Sequence, residues 1–137
     1  MIRAAGTSDD RILAVEGRGF AVLAASPPAD ELTCGPGMCC DHRGVLIWVG
    51  DVFLPESWCG QMPTPSPQGI AKILYHKLIS YGPGVLSDVD GSFCGVWFNN
   101  ETQTWTVFND RWGLIPLFWW SQGDRLVVAP RARLAWQ

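Results

Sequence analysis

One stretch of the sequence carries clear helical spacing, and it limits what the rest can become. From about Ser66 to Tyr81, the residues Ile70, Ile73, Leu74, Leu78 and Tyr81 recur at intervals that place them on one helix face. Ser66 is suited to cap the first free N–H groups, Pro67 suits the first helical position, and Gly82-Pro83 ends the element. His76 and Lys77 lie in its C-terminal half, where cationic groups favour the helix dipole, and His76 is read that way and not as catalytic. Around this helix the chain reads as strands. Val45–Phe53 is rich in β-branched and aromatic residues, with Gly50 marking its end or a close backbone approach. Ser92–Phe98 and Thr104–Phe108 flank the turn 99–103 as a longer-loop hairpin. Leu117–Trp120 and Leu126–Ala129 flank Ser121-Gln122-Gly123-Asp124 as a second one. The strands of the first hairpin carry apolar residues on both faces, so a sheet covered on both sides is expected. The fold class is α+β, an antiparallel β-sandwich with flanking helices.

The remaining segments are less regular. Within residues 1–44 the one strand candidate is Phe20–Ala25, stopped by Pro27-Pro28, and Gly35-Pro36-Gly37 demands a turn. Residues 54–67 hold Pro55, Pro63, Pro65 and Pro67 and read as a loop. At 137 residues the chain reads as one domain, with 47% apolar and 17% charged residues, a globular balance. Eight tryptophans call for a tightly packed core, since each brings a large apolar area and an N–H that needs a partner when buried. The net charge of −3 argues against nucleic-acid binding, which lives on phosphate neutralisation. The basic residues Arg125, Arg131 and Arg133 read as a solvated face. No apolar run reaches the length of about 20 residues that spans a bilayer. Asp9, Asp10 and Glu16 stand where a secretory leader would put positive charge. The expected location is therefore cytoplasmic, with Cys34, Cys39, Cys40, Cys59 and Cys94 as free thiols.

The C-terminal half carries a recognisable order of motifs. Gly91-Ser92-Phe93 and Val96-Trp97 are followed by Asn109-Asp110-Arg111-Trp112-Gly113-Leu114-Ile115-Pro116-Leu117-Phe118-Trp119. Leu126-Val127-Val128-Ala129 and Leu134 follow in step, and Val49-Gly50-Asp51-Val52-Phe53 stands upstream. Over about residues 45–137 this order resembles the amidotransferase domain of asparagine synthetases, a class II glutamine amidotransferase; residues 1–44 are poorly recognisable. The family shows a Gly-x-Phe strand, then a strand running into Arg-Asp-x-x-Gly-x-x-Pro-Leu-Tyr-Tyr, then a hairpin. The resemblance implies an N-terminal-nucleophile hydrolase type of sandwich, incomplete here at both ends. In the shared loop, Gly113 permits a turn that a side chain forbids, and Pro116 fixes the backbone entering the next strand. Asp110 and Arg111 are placed to tie that turn down by charge-assisted hydrogen bonds. All of these are scaffold residues.

The resemblance also specifies what glutamine hydrolysis needs. The family uses the first residue of the mature chain, a Cys, as nucleophile, its α-amino group as base, and an Asn side chain with a Gly N–H for the oxyanion. This sequence begins Met1-Ile2, and Val49 stands where the oxyanion Asn is expected. Gly50 remains and Asp51 replaces a substrate-binding Glu, so these two form a degenerate substrate-binding pair. The family's acidic residue at the helix start is not visible in Thr64–Gly69, nor is its Arg-Gly-Pro-Asp-like segment. Cys34-Gly35 imitates the family's start, but Pro36-Gly37 and the nearness of Val49 rule it out. No pyrophosphate loop of the synthetase half is present. No catalytic residue, cofactor or metal ligand is therefore assigned, and a pseudoenzyme is expected. It is read as a non-catalytic domain acting with an ATP-dependent amide-forming synthetase, similar to the inactive domains of β-lactam synthetases and lasso-peptide cyclases.

Two other functions compete with that one. One is a fragment of a glutamine-hydrolysing asparagine synthetase whose start lies upstream, which a reading frame continuing into Met-Cys-Gly would reveal. The other is a small metal-binding or interaction module: Cys34, Cys39, Cys40, His42 and Cys59 are soft ligands, though without two clean Cys-x-x-Cys pairs. The expected partner is a synthetase-type ATP-binding subunit or a second copy of the chain. Trp119-Trp120 beside Phe118 supports this, because consecutive strand residues point to opposite faces. One of the two indoles then faces away from its own core, and the chain reaches Gln137 before the elements that supply a further layer in the family.

Overall fold

A computed structural model describes residues 3–6, 12–17, 20–25, 36–60, 66–123 and 125–129. The centre is an antiparallel four-stranded sheet in the order β4-β5-β6-β7. Its strands are β4 (Gly37–Asp41), β5 (Gly44–Phe53), β6 (Asp90–Asn99) and β7 (Thr104–Asn109). Strand β5 pairs with β6 along its whole length, from Gly44↔Asn99 to Phe53↔Asp90. The alternation of side chains divides the apolar residues between two faces. Leu46, Trp48, Val52, Phe93, Trp97 and Phe108 form one buried cluster with Ile70, Leu74, Tyr75 and Leu78 of helix α2 (Pro67–Tyr81). Val45, Ile47 and Phe98 form a second cluster on the opposite face. There β5 is approached by β3 (Phe20–Ala25), the end strand of a three-stranded antiparallel sheet with β1 (Arg3–Gly6) and β2 (Ile12–Gly17). Cover on both faces is thus seen at β5, whereas Trp105 and Val107 of β7 stay exposed on the second face, and the architecture is mixed α and β with antiparallel sheets.

Helix α2 is bounded as its sequence predicts. The Ser66 hydroxyl accepts the Gly69 N–H at 3.1 Å, and the Gly82 N–H donates to the Leu78 carbonyl at 2.8 Å. Its buried stripe is rotated from the expected one: Ile70, Ala71, Leu74, Tyr75 and Leu78 are buried, Ile73 is half-buried, and Tyr81 is 72% exposed. The rotation places the Tyr75 hydroxyl on the Asp41 carboxylate, so a polar tip finds a partner at the edge of the core. Lys77 holds its ammonium over the rings of Trp58 and Tyr81, 5.1 and 5.3 Å from their centroids.

Other expectations are corrected. The first 44 residues hold β1, β2 and β4 besides β3. Arg3–Gly6 (Arg-Ala-Ala-Gly) has little strand propensity of its own and becomes a strand by pairing with Ile12–Gly17, which also pairs with β3. Gly37 opens β4 opposite Trp48, where a Cβ would lie 2.5 Å from the indole, so this glycine makes room for the ring. The loop at 54–67 contains a single helical turn, α1 (Glu56–Cys59). The second hairpin, β8 (Phe118–Gln122) with β9 (Arg125–Ala129), extends its pairing to Gln122↔Arg125, which shortens the expected four-residue turn. Trp48 and Trp97 bury their indole N–H groups without a hydrogen-bond partner among the described residues. The expectation of a partner for every buried indole fails there, and each such donor costs on the order of 1–3 kcal/mol. Leu134, Cys34, Arg131 and Arg133 lie outside the described residues.

Candidate functional site

The loop after β7 is organised by one carboxylate. The Asp110 N–H still donates to the Phe93 carbonyl at 2.8 Å, extending the β6–β7 pairing by one residue. The chain then turns back, with the Gly113 N–H donating to the Asp110 carbonyl at 3.0 Å. Gly113 has φ +63, a left-handed conformation, and a Cβ there would meet only the Asn109 Nδ2 at 3.5 Å. Backbone conformation and not crowding therefore calls for glycine. Inside the turn, the Asp110 carboxylate accepts N–H groups from Trp112 at 3.0 Å, Leu114 at 3.1 Å and Ile115 at 3.3 Å. Asp110 is only 3% exposed. Burial pushes its pKa up, but the N–H donors of Leu114, Ile115 and Trp112 outweigh it and hold the carboxyl below its ordinary range.

The other predicted loop residues have separate tasks. Arg111 is exposed and turns away from the Asp110 carboxylate, donating to the Ser87 carbonyl at 2.9 Å. It ties the loop to the 3-10 segment Pro83–Asp88, whereas Asp110 binds the turn itself. Pro116 is exposed and leads into β8. Ile115 reaches back to β5: its Cδ1 lies 2.9 Å from the place a Cβ on Gly50 would occupy. Gly50 has φ +101, and that Cβ would also lie 2.1 Å from the Ser92 carbonyl oxygen. Of the two readings of Gly50, close backbone approach is the one observed, since the strand continues to Phe53. The fold thus brings Gly50, Phe93, Asp110, Gly113 and Ile115 together and leaves Arg111 and Pro116 at the margin.

Val49 and Asp51 flank Gly50 on the other sheet face, opposite Cys94 and Ser92. Val49 is half-buried and packs against the Val45–Ile47–Phe98 cluster, offering no hydrogen-bond donor. Asp51 is half-buried. Cys94, between Val49 and Asn109 in the sheet, is 4% exposed. Burial, and then the nearby Asp110 carboxylate, push its thiol up to about 11. Such a thiol is a poor nucleophile at neutral pH. Cys39 and Cys40 are raised as well, chiefly by burial. They are neighbours on β4 and pack into different clusters, Cys39 with the helix-side core and Cys40 with the opposite one. Among the described residues no group of three or more His, Cys, Asp and Glu side chains is arranged to hold a metal ion.

A polar cluster that sequence reasoning missed lies at the β4–β5 turn. The Asp41 carboxylate accepts the Arg43 N–H at 2.8 Å, its Nε at 3.0 Å and its Nη2 at 2.8 Å, and also the Tyr75 hydroxyl. Burial opposes ionisation of Asp41, but Arg43 and Tyr75 prevail and hold its pKa well below the carboxylate range. The Tyr75 hydroxyl is pushed up by burial and by the Asp41 carboxylate. The available signal was Asp41-His42-Arg43-Gly44 between two apolar runs, a two-residue hairpin whose Asp bonds its own turn.

With this geometry in view, residues 67–134 match a family model of the glutamine amidotransferase domain. The matched stretch begins at the first residue of α2 and includes the β6–β7 hairpin, the Asp110 loop and the β8–β9 hairpin. It supports a glutamine amidotransferase domain in this chain, and it leaves Val49, Gly50 and Asp51 outside the matched residues. No curated protein and no solved structure matches the chain.

Proposed function

We propose that the chain is a non-catalytic glutamine amidotransferase type 2-like domain of an asparagine-synthetase-related protein, of the N-terminal-nucleophile hydrolase type. In this reading it acts in the cytoplasm beside an ATP-dependent amide-forming synthetase, which supplies the chemistry. The observation that carries it is the contrast between the two halves of the site. The scaffold loop around Asp110 is closed by its carboxylate, which accepts the backbone N–H groups of Trp112, Leu114 and Ile115. The position assigned by resemblance to the oxyanion amide is Val49, half-buried and without a donor. Beside it the Cys94 thiol, pushed up to about 11, is held protonated at neutral pH. Losing one oxyanion donor alone costs about a hundredfold or more in rate. Support for a protein partner comes from the β8–β9 hairpin, where Trp119 is 71%, Leu126 56% and Phe118 40% exposed.

The reading is tested with a glutamine analogue that carries an electrophilic carbon in place of the amide. An activated cysteine would form a thioether with it. Intact-mass analysis of the purified chain is expected to show no adduct. One adduct per chain, suppressed by added glutamine, would refute the non-catalytic assignment.

A further inference from the structure

Tyr81 was expected to face the core, yet it stays 72% exposed at the end of α2 with its ring engaged. The Lys77 ammonium lies 5.3 Å from the Tyr81 ring centroid and 5.1 Å from that of Trp58. The two rings come from different elements. Trp58 belongs to the helical turn α1, is half-buried and packs against the helix-side core cluster, which fixes its ring. Tyr81 stands four residues after Lys77 on α2, a spacing that makes the two side chains neighbours on the helix surface. A cation within about 6 Å of a ring centroid is drawn to the negative face of the ring. Here one ammonium meets that condition for two rings at once. Trp58 and Tyr81 therefore frame a space sized for an ammonium group, and Lys77 fills it from within the chain.

We infer that Trp58 and Tyr81 form a binding site for a trimethylammonium group, held shut by Lys77 as a built-in ligand. The choice of ligand follows from hydration. A lysine ammonium is a compact, strongly hydrated charge with three donors, and aromatic faces replace its water acceptors poorly. A trimethylammonium has no N–H to leave unpaired, and its methyl groups add apolar contact to the attraction of the rings. Lys77 keeps the site by its tether, which gives its ammonium a high effective concentration between the rings. A free ligand has to displace it, so shortening the side chain at position 77 opens the site. Neither the Asp110 loop nor Val49 takes part, so the inference is independent of any glutamine chemistry.

The probe is choline, with 3,3-dimethylbutan-1-ol as its uncharged isostere, followed by proton NMR on the full chain. Methyl protons held over ring faces shift upfield. Choline is expected to bind Lys77→Ala about fivefold more tightly than the unaltered chain, the factor that one cation–π contact represents. The isostere is expected to show no comparable shift. Tyr81→Ala added to Lys77→Ala removes one exposed ring and is expected to abolish the shift with an unchanged circular dichroism spectrum. A peptide carrying trimethyllysine is run beside choline, and the tighter of the two identifies the source of the group. A second readout needs no variant and decides by itself. Saturating choline expels the Lys77 ammonium from the unaltered chain and speeds its acetylation by acetic anhydride, with the exposed Lys72 as internal reference. Peptide mass spectrometry locates the acetyl groups. A Lys77 acetylation rate that choline leaves unchanged overturns the inference. So does a folded Lys77→Ala chain that gives no upfield shift, or that takes the isostere as well as choline.

Discussion

Asp110 shows how one side chain can hold a loop in place of regular structure. The segment from Arg111 to Ile115 forms no strand, so its N–H groups need acceptors, and the buried carboxylate takes those of Trp112, Leu114 and Ile115 while the Asp110 carbonyl takes that of Gly113. Its folded pKa lies below the ordinary value, so its contribution to stability is complete above the unfolded carboxylate value of about 3.9. That contribution is lost as pH falls through the lower folded value. Asp110→Asn is accordingly expected to lower stability at neutral pH by on the order of 2 kcal/mol. Under acid denaturation the difference from wild type should shrink below about pH 4, as read by urea titrations across pH. A constant difference down to strong acid would contradict this account. At Gly113 the space is open and the backbone is the constraint. Gly113→Ala is expected to cost about 1–2 kcal/mol and Gly113→Val more, with Gly113→Asn the mildest of the three. Equal melting temperatures across the series would show that the left-handed turn does not form.

Among the elements, α2 was the most legible, because capping and termination are local chemistry. Ser66→Ala removes the acceptor for the Gly69 N–H and is expected to cost about 1 kcal/mol in chemical denaturation, while Ser66→Asp retains most of the stability. The face that α2 buries was less legible. Both candidate stripes share Ile70, Leu74 and Leu78, and the choice of Tyr75 over Tyr81 depends on Asp41, 34 residues away in sequence. The β5, β6, β7 and β8–β9 strands were readable because their aromatic and β-branched runs are dense. Strands β1 and β2 were not: β1 is four residues with two Ala and a Gly, and β2 is a short run whose strand state depends on its hairpin pairing with β1 and β3. Of the site, the scaffold loop was visible in the spacing of Asp110, Gly113 and Pro116. Arg111 was expected to make a charge-assisted hydrogen bond, and its acceptor, the Ser87 carbonyl, comes within reach only through tertiary structure.

For the whole molecule, the family match over residues 67–134 supports a glutamine amidotransferase domain, and the antiparallel α and β architecture is compatible with one. The central sheet is packed against α2 on one face and approached at β5 by β3, and the Asp110 loop is anchored to it through the Asp110 N–H bond to the Phe93 carbonyl. No helix among the described residues is long and apolar enough to cross a membrane. The proposed function rests on a contrast: the Asp110 loop is held by its buried carboxylate, whereas Val49 has no side-chain donor and burial raises the Cys94 thiol. The most direct measurement is ammonia release from glutamine by the purified full chain, run beside a heat-denatured control. The account predicts no release above that control, and Val49→Asn alone is expected to leave the result unchanged. Steady release that scales with protein concentration and is stopped by a thiol-alkylating reagent would contradict it.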